Sequence, residues 1–409
     1  MLDRVCAQWT AGRANAICLP RSKSRKPGRD HALAHETEYS AGPRPKYGSG
    51  RNGADRGRPL HGGRFVQSLT AANALALLVF ALLASAALTM ALLPLLRRHV
   101  LAHANARSSH VKATPQGGGV AVIAATIGVN LAFVLSTRSV DSLSIVHLDW
   151  VLAATALLVA VGIGADTHLM PVAPRLLLQA LAAAVVIAAL PQDLRIATFL
   201  PWWIERLLLF VGTIWFVNLV NFMDGIDWMT VAEVVPVSGG LAVLGLLGAL
   251  PEHATVVALA LLGAMLGFAP FNRPVARVFL GDAGSLPIGL LLAWLLILLA
   301  GRGHLAAAVL LPLYYLADTA ITLGRRLLNG QRIWEAHRTH FYQRATDRGF
   351  SIYGVVGRVF AVNVALATLA AATVSLDSMV ASLVALAAGV LLVAALIAAF
   401  SAEPRRHRS

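Results

Sequence analysis

Long runs of apolar residues, separated by short polar segments, dominate the chain from residue 71 almost to its C-terminus. The runs are about 17 to 25 residues long, the length that an α-helix needs to cross a hydrocarbon core of roughly 30 Å. They lack the alternation of a barrel strand, so the pattern predicts helices. We predict eleven membrane spans, at 71–96, 117–136, 149–165, 174–190, 204–221, 229–249, 253–270, 284–300, 305–323, 354–374 and 380–400.

The composition indicates the same class of protein. Hydrophobic residues make up 57% of the chain and charged residues only 13%, whereas a soluble domain carries about 25% charge. The predicted fold is therefore all-α, a polytopic bundle of about ten or eleven membrane helices. Residues 71–400 form the membrane-embedded domain, and residues 401–409 form a short C-terminal tail.

The first 70 residues differ from the rest. They are rich in Arg, Gly and Pro and hold 13 of the 34 Lys+Arg but only 5 of the 20 Asp+Glu, so we predict a basic, disordered tail. The tail lacks the apolar core of a signal peptide. It contains both cysteines, Cys6 and Cys18, so no disulfide can hold the membrane body. Two interpretations stay open: a dispensable extension, or an artefact of an early start codon.

The distribution of basic residues predicts the orientation. Loops after odd-numbered spans hold sixteen Lys and Arg residues, against four on the other side. An excess of this kind marks cytoplasmic loops, which places the N-terminus outside and the C-terminus in the cytoplasm. The basic tail conflicts with this orientation. Because the other basic residues lie between apolar runs, we expect no nucleic-acid partner.

With this orientation, the unusual polar segments all fall on the cytoplasmic face. Acidic residues cost about 2.5 to 3.5 kcal/mol each at the centre of a membrane helix, so they usually line a hydrated site. Carboxylates combined with Asn favour a hard cation such as Mg²⁺, which commonly bridges substrate phosphates. The segments are NARSSHVKATPQGGGVAV (105–122), GADTHLMPVAPR (164–175), NLVNFMDGID (218–227), FNRPVARVFLGDAGS (271–285) and HRTHFYQR (337–344).

Two of these segments place polar groups beside helix ends. Asn218, Asn221 and Asp224 follow i, i+3, i+6 spacing along one helix face, and Asp227 continues the stripe. Asp282 stands between glycines before a helix N-terminus, where backbone amides and the helix dipole favour a phosphate. The structural alternatives are a helix cap for the first segment and an ordinary inter-helix turn for the second.

The remaining segments offer weaker signals. TPQGGG provides unblocked amides, although a glycine run beside a membrane helix is weak evidence by itself. The histidines and arginines of HRTHFYQR are suited to neutralising phosphate charge, and the alternative is a basic segment held by anionic lipid headgroups. Asp318 and Glu233 also fall within predicted spans, and we interpret both as structural.

Taken together, NFMDGID and FLGDAGS, in that order, make residues 71–400 resemble the polyprenyl-phosphate sugar-1-phosphate transferases. That family contains phospho-MurNAc-pentapeptide translocase and the O-antigen-initiating GlcNAc-1-phosphate transferases, and RSSH, TPQGGG and HRTHFYQR are similar to the O-antigen branch. The resemblance implies a multi-pass enzyme of the bacterial inner membrane with a cytoplasmic active site that uses Mg²⁺ or Mn²⁺. It would transfer a sugar 1-phosphate of the N-acetylhexosamine type from a UDP-sugar to undecaprenyl phosphate, releasing UMP and initiating O-antigen or another cell-envelope glycan. Dimers occur in the family, so a homodimer is compatible with it.

The resemblance also implies roles for particular residues. The residues matched to the catalytic group are Asp166, Asp224, Asp282, His337 and His340, with Asp282 and Asp166 as metal ligands. The residues matched to the nucleotide pocket are Asn221, Asp227, Asn272 and Phe279, the last of which stacks on uracil. The residues assigned to the phosphate or the lipid headgroup are Lys112, Gly117, Gly118, Arg338 and Arg344.

One departure from the family pattern matters. The family carries an Asp-Asp pair at the end of the third span, and this chain has Ala165 followed by Asp166. A phosphate with a second pKa near 6 is already mostly dianionic at pH 7, so a dedicated base is not strictly required. Two alternatives stay open: an impaired relative that only binds nucleotide or lipid, and a transporter. The transporter has less support, because the polar groups cluster at one face and no inverted repeat is visible.

Overall fold

The structure is a computed structural model that describes residues 69–102, 114–136, 142–167, 169–332 and 337–402. Lys112 and the basic N-terminal tail lie outside these residues, and everything described belongs to the unit Arg64–Ser409. The helices are α1 Ala71–His99, α2 Gly119–Ser136, α3 Ser142–Asp166, α4 Val172–Ala188, α5 Trp202–Met223, α6 Met229–Leu246, α7 Glu252–Phe268, α8 Asp282–Gly301, α9 Leu305–Leu310, α10 Leu313–Leu328, α11 Phe341–Asp347, α12 Ile352–Leu376 and α13 Met379–Ser401. Two short strands are β1 Leu101–Ala102 and β2 Thr114–Pro115.

The predicted all-α, polytopic membrane fold is confirmed. Helices occupy every predicted span, and within the described residues eight of them are long and apolar enough to cross a membrane. Helices α4 and α7 are shorter but also apolar. The predicted orientation across the membrane stays a prediction.

The prediction of one continuous helix over 305–323 is wrong. The segment forms two helices, α9 and α10, which are separated at Leu311 and Pro312. Pro312 has no backbone N–H to donate, and its ring crowds the preceding turn, so the helix is interrupted there. Helix α10 then continues to Leu328 and carries Arg325 and Arg326 in its last turn.

Helix α8 is the central helix of the bundle. In its apolar stretch, 94% of the residues are buried, and it packs against α2, α3, α5 and α9. A helix that is apolar on all sides belongs in the interior. In contrast, α1 and α13 leave large apolar side chains such as Phe80 and Leu391 exposed, as lipid-facing helices do. Asp282, the first residue of α8, therefore lies in the middle of one end of the bundle.

Glycines let three helices meet at the N-terminus of α8. A Cβ atom on Gly119 of α2 would overlap the backbone of Gly284, and one on Gly162 of α3 would overlap the backbone of Ala283. Small residues allow helix backbones to approach this closely in membrane proteins. The contact at Gly162 brings Asp166, at the end of α3, to the first turn of α8.

A small network of backbone hydrogen bonds ties two of the polar segments together. Strands β1 and β2 pair antiparallel, with Leu101 opposite Pro115. Phe279 N then donates to Pro115 O at 2.8 Å, and Gly118 N donates to Phe279 O at 2.9 Å. The segment TPQGGG is thereby fixed against FLGDAGS, at the same end of the bundle as Asp282.

Candidate functional site

The carboxylate of Asp282 is held between two side chains from neighbouring helices. Arg175 Nη1, from α4, lies 2.6 Å from Oδ2, and Asn221 Nδ2, from α5, lies 2.7 Å from Oδ1. Asn221 Nδ2 is also 2.9 Å from Ser285 Oγ, one turn further along α8. The side chains of Arg175 and Asp282 are 20% and 22% exposed. Asp282 is thus a positioned carboxylate that solvent can still reach.

Asp166 caps the N-terminus of α8. Its Oδ1 accepts hydrogen bonds from Asp282 N at 2.8 Å and Gln116 Nε2 at 2.5 Å, and its Oδ2 accepts one from Ala283 N at 3.2 Å. The first amides of a helix have no partner within it, so a buried helix end needs an external acceptor. The expectation that these amides stay open for a phosphate is wrong for Asp282 and Ala283. The assignment of Asp166 to catalysis and to metal binding stays a prediction.

The polar stripe on α5 holds for its first part. Asn218 Nδ2 donates to Gln179 Oε1 of α4 at 2.8 Å, and Asn221 reaches Asp282 one turn later. The helix ends at Met223, so Asp227 does not continue the helical face as predicted. Its Oδ2 accepts a hydrogen bond from Ala276 N at 3.0 Å, which ties it to the segment between α7 and α8.

Asp224 is the C-cap residue of α5 and lies between the two membrane helices α5 and α6. Its Oδ1 accepts a hydrogen bond from Thr230 Oγ1 at 2.5 Å. Burial raises the pKa of the Asp224 carboxyl group to about 7; the hydrogen bond from Thr230 opposes this, and the charges of Asp282 and Asp227 add to it. Asp224 therefore exchanges a proton near neutral pH.

Two residues matched to the nucleotide pocket make structural contacts. Asn272 Oδ1 accepts a hydrogen bond from Trp228 N at 2.8 Å, and its Nδ2 donates to Val278 O at 3.0 Å. Trp228 has a left-handed backbone (φ +63°), so this contact supports an unfavourable turn. Phe279 follows Val278 in the chain; it is half-buried, and its backbone pairs with Pro115 and Gly118. The nucleotide roles of Asn272 and Phe279 stay predictions.

The glycine run serves close packing. The expectation of an unblocked amide is wrong for Gly118, whose N–H donates to Phe279 O. A Cβ atom on Gly118 would come within 2.6 Å of the Phe268 ring, and Gly117 has a positive φ of +98°. Both positions therefore require glycine for steric reasons. Their assignment to phosphate or lipid headgroup is untested.

The two histidines of HRTHFYQR stack on each other, with ring centroids 5.0 Å apart. His340 Nδ1 lies 3.0 Å from Asp318 Oδ1, and both side chains are almost completely buried. The opposite ring nitrogen of His340, Nε2, is buried without a hydrogen-bond partner in the described part of the chain. His337 is half-buried and lies 6.5 Å from the Phe222 ring, at the end of α5.

Asp318 organises this segment, and sequence reasoning missed its role. Its Oδ2 accepts hydrogen bonds from Tyr314 Oη and Tyr342 N, and its Oδ1 accepts from Thr322 Oγ1, His340 and Phe341 N. The carboxylate thus caps α11 and orients His340. The sequence signal was an acid within an apolar span, but the partners that explain its role, residues 340–342, lie more than twenty residues further along the chain.

Helix α11 packs onto the end of α5. Tyr342 Oη donates to Phe222 O at 3.3 Å, and Gly225 has no room for a side chain because Tyr342 and Gln343 fill the space. Burial raises the pKa of Tyr342 well above its usual range, so the hydroxyl stays protonated and can donate. The histidine segment, Asp224 and Asp282 are therefore gathered at one end of the bundle around the end of α5.

The basic residues of the histidine segment have different environments. Arg338 Nη2 lies 3.3 Å from Asp347 Oδ1, whereas Arg344 is exposed on α11. Arg175 belongs to the site through Asp282 but was predicted only as a loop charge. Gln116, which holds Asp166, was not singled out. No pattern in the neighbouring sequence indicates the roles of Arg175 and Gln116, because each contact joins distant parts of the chain.

The carboxylate oxygens of Asp166 and Asp282 are the candidate ligands for a metal ion. Within the described ranges no group of three or more His, Cys, Asp or Glu side chains is arranged as a complete metal site. Both oxygens of Asp166 and both of Asp282 accept hydrogen bonds from protein groups. Mg²⁺ is commonly bound by one or two carboxylates, several waters and substrate phosphates. Carboxylates of this kind suit such a cation, but their oxygens are occupied, so a cation would have to displace Arg175 from Asp282 or the backbone amides from Asp166. The metal-ligand assignment of Asp282 and Asp166 stays a prediction.

Comparison with known proteins places this site in context. The family model described as Glycosyl transferase family 4 matches residues 149–300, which include Asp166, Asn221, Asp224 and Asp282. A "Phospho-N-acetylmuramoyl-pentapeptide-transferase" of Lacticaseibacillus paracasei is 30% identical over 165 residues, which cover 38% of this chain and 50% of the relative. A protein of the same description from Enterococcus faecalis is 31% identical over 159 residues, covering 38% and 46%.

A third relative aligns over a longer part of the chain. A "Probable undecaprenyl-phosphate N-acetylglucosaminyl 1-phosphate transferase" of Bacillus subtilis is 23% identical over 273 residues, which cover 63% of this chain and 74% of the relative. The chain spans about half the length of the pentapeptide-transferase relatives that it matches. The family-model match, residues 149–300, contains the ends of α3 and α5 and the start of α8, where Asp166, Asp224 and Asp282 lie.

Proposed function

We propose that this chain is a member of glycosyl transferase family 4 and an enzyme that transfers a sugar 1-phosphate from a UDP-sugar to a polyprenyl phosphate. The observation that carries the proposal is the position of Asp282 at the N-terminus of the central helix, held between Arg175 and Asn221. The histidine segment packs on the same end of α5. Acidic, amide and imidazole groups thus converge where a lipid headgroup and a water-soluble nucleotide can meet.

The reaction exchanges one phosphorus–oxygen bond for another. An oxygen of the lipid phosphate bonds to the β-phosphorus of the UDP-sugar, and the bond from that phosphorus to the bridging oxygen breaks, so that UMP leaves with the bridging oxygen. Phosphoryl transfer of this kind depends on positioning and charge neutralisation rather than on covalent catalysis. Because the lipid phosphate is largely dianionic at pH 7, it has no proton that must be removed first.

Individual residues have distinct tasks in this proposal. Asn221 positions the Asp282 carboxylate, and Asp318 holds His340 with its free Nε2 available to donate to a phosphate oxygen when protonated. His337, stacked on His340, and Arg338 add positive charge at the same edge. Asp227, Asn272 and Phe279 would contact the nucleotide.

A divalent cation, Mg²⁺ or Mn²⁺, would be held by Asp282 and, after some rearrangement of the α8 cap, by Asp166. When bound, it would neutralise charge on the diphosphate. Arg175 now neutralises Asp282, so it would have to move aside for the cation. This assignment is tested by the dependence of activity on the cation concentration.

The finer parts of the proposal follow from the similarity and the charge distribution. The name of the Bacillus subtilis relative contains both N-acetylglucosaminyl 1-phosphate and undecaprenyl phosphate. We therefore propose a UDP-N-acetylhexosamine as the donor and undecaprenyl phosphate as the acceptor. The excess of basic residues in the loops at the site's end supports a cytoplasmic site at the bacterial inner membrane. The product would start an O-antigen or another cell-envelope glycan. A homodimer is compatible with the family.

A second candidate is a relative that binds nucleotide or lipid without turnover. Ala165 favours it, because the remaining acid, Asp166, is occupied as the cap of α8. The clustering of polar groups at one end of the bundle, rather than at its middle, argues against a transporter.

The test is UMP release by the purified protein with undecaprenyl phosphate and a panel of UDP-sugars. Asp282→Asn should lower turnover by about 10²–10³-fold, as the loss of a key electrostatic group does. Asp377→Asn is the matched control, because Asp377 is exposed in a left-handed turn between α12 and α13, where asparagine fits. If no UDP-sugar gives UMP, the chain is the relative that binds nucleotide or lipid without turnover. Equal turnover of Asp282→Asn and Asp377→Asn would show that Asp282 is not part of the site.

A further inference from the structure

A cavity of about 170 Å³ lies beside the histidine segment, between the end of α10 and α11. Three arginines line it: Arg325 and Arg326 from the last turn of α10, and Arg344 from α11. Its other walls are neutral hydrogen-bonding side chains, namely Thr322, Asn329, Gln331 and Thr339. No carboxylate is among the lining residues that the structure describes, and these residues concentrate positive charge next to the proposed transfer site.

Within the described residues, no acidic side chain balances the positive charge of this cavity. Among the described residues, no salt bridge involves Arg325, Arg326 or Arg344. The C-terminal end of α10 offers roughly half a negative charge from its dipole, which is much less than three guanidinium charges. Arg326 Nε is moreover a buried donor without a hydrogen-bond partner. Leaving such a donor unpaired costs about 1–3 kcal/mol, so a ligand that accepts from it is expected.

The arginines are also held in place. Arg326 Nη2 donates to Arg332 O at 2.8 Å, and the guanidinium of Arg325 lies over the Phe341 ring at 4.8 Å from its centroid. A cation held against an aromatic face loses less conformational freedom when it binds a ligand. The cavity is therefore preorganised for an anion.

We propose that this cavity binds the phosphate group of a membrane lipid. Guanidinium groups can bind phosphate oxygens in pairs, and the threonine and amide side chains can donate to the oxygens that remain. Apolar side chains beside the arginines are exposed, with Leu328 88% and Leu327 65% accessible, and they are suited to contact hydrocarbon. Clusters of basic residues next to membrane helices attract anionic headgroups. The lipid is either a phospholipid of the bilayer or the polyprenyl phosphate.

The cavity shares two walls with the histidine segment. Thr322 Oγ1 donates to Asp318 Oδ1 at 3.2 Å, and Thr339 Oγ1 lies 3.0 Å from His337 Nδ1. A bound phosphate would therefore restrain the side chains that hold both histidines. The binding proposal does not depend on the transfer reaction, because it is read out without turnover.

The test measures lipid binding to the purified full chain in detergent by native mass spectrometry. The probes are phosphatidylglycerol, phosphatidylcholine, undecaprenyl phosphate and inorganic phosphate. The perturbed variant is R325Q/R326Q, and the matched control is R97Q/R98Q, a pair of exposed arginines in the last turn of α1. Arg344→Gln, at an exposed position on α11, gives a second variant in case the first folds poorly.

We expect R325Q/R326Q to weaken binding of an anionic lipid at least about tenfold, because two charge-assisted contacts are lost. Arg344→Gln should weaken it less, and R97Q/R98Q should stay within about twofold of the wild type. Loss of phosphatidylglycerol with retention of undecaprenyl phosphate identifies a bilayer lipid, and the reverse identifies the carrier. Equal effects of both double variants, no effect of either, or a preference for inorganic phosphate would overturn the proposal.

Discussion

Replacing Asp318 with asparagine is the sharpest test of the geometry around the histidines. The side chain is fully buried and accepts hydrogen bonds from five donors, two of them backbone amides at the start of α11. Asparagine keeps the shape but replaces one acceptor oxygen with an NH₂ group. The amide oxygen can face His340, in which case the NH₂ group faces the donors Tyr314 Oη and Tyr342 N.

The expected loss of unfolding free energy in Asp318→Asn follows from these contacts. The Tyr314 hydroxyl can rotate and accept, but Tyr342 N cannot, so one buried donor loses its partner at about 1–3 kcal/mol. Loss of the negative charge beside His340 adds to this, and the removal of one partner from a buried pair costs about 3–5 kcal/mol in total. At about 1–2 °C per kcal/mol for a chain of more than 300 residues, Tm should fall by roughly 3–10 °C. Turnover should fall about 10²–10⁴-fold, because a misoriented histidine cannot donate to the phosphate.

The assay combines thermal unfolding in detergent with UMP release at a temperature where both proteins are folded. Tyr314→Phe is the graded control, because it removes one donor and leaves Asp318 with four others. Its cost should be close to that of one hydrogen bond, about 1 kcal/mol, with turnover near that of the wild type. Wild-type turnover in Asp318→Asn would refute the claim that this carboxylate positions His340, even if Tm falls.

Three further predictions concern packing, protonation and the missing acid. Gly119→Val should lower Tm strongly or prevent folding, because its side chain would overlap α8, whereas Gly128→Val, with open space around it, should change Tm little. The raised pKa of Asp224, about 7 against 3.8, means that its protonated form favours the folded state; this stabilisation is complete below about pH 4 and is lost as pH rises through 7. In EDTA, the Tm of the wild type should therefore fall between pH 6 and pH 8 more steeply than that of Asp224→Asn, and parallel profiles would contradict the assignment. Ala165→Asp should raise the rate of UMP release if the first acid of the family's pair helps the reaction, and an unchanged rate would show that Asp166 is sufficient.

Several structural roles at the site were not predictable from sequence. Asp166 and Asp282 were recognised as neighbours in function, but the amides that Asp166 binds became visible only when α3 met α8 through Gly162. The stripe over Asn218 and Asn221 follows from helical periodicity and was correct. At Asp227 the same periodicity failed, because the helix had already ended at Met223.

The sequence by itself determined that the chain forms apolar helices, where most of them begin and end, and which motifs resemble those of a known family. These properties follow from local composition, since a run of apolar residues in lipid must satisfy its backbone hydrogen bonds within the run. Tertiary structure decided which polar side chains meet. Asp318 and His340, and Arg175 and Asp282, come from separate segments of the chain, and Arg344 of α11 joins Arg325 and Arg326 of α10 in the cavity. Contacts of this kind depend on glycines, which let helices approach closely, and on proline, which interrupts a helix. No local pattern in the chain encodes the distances between these side chains.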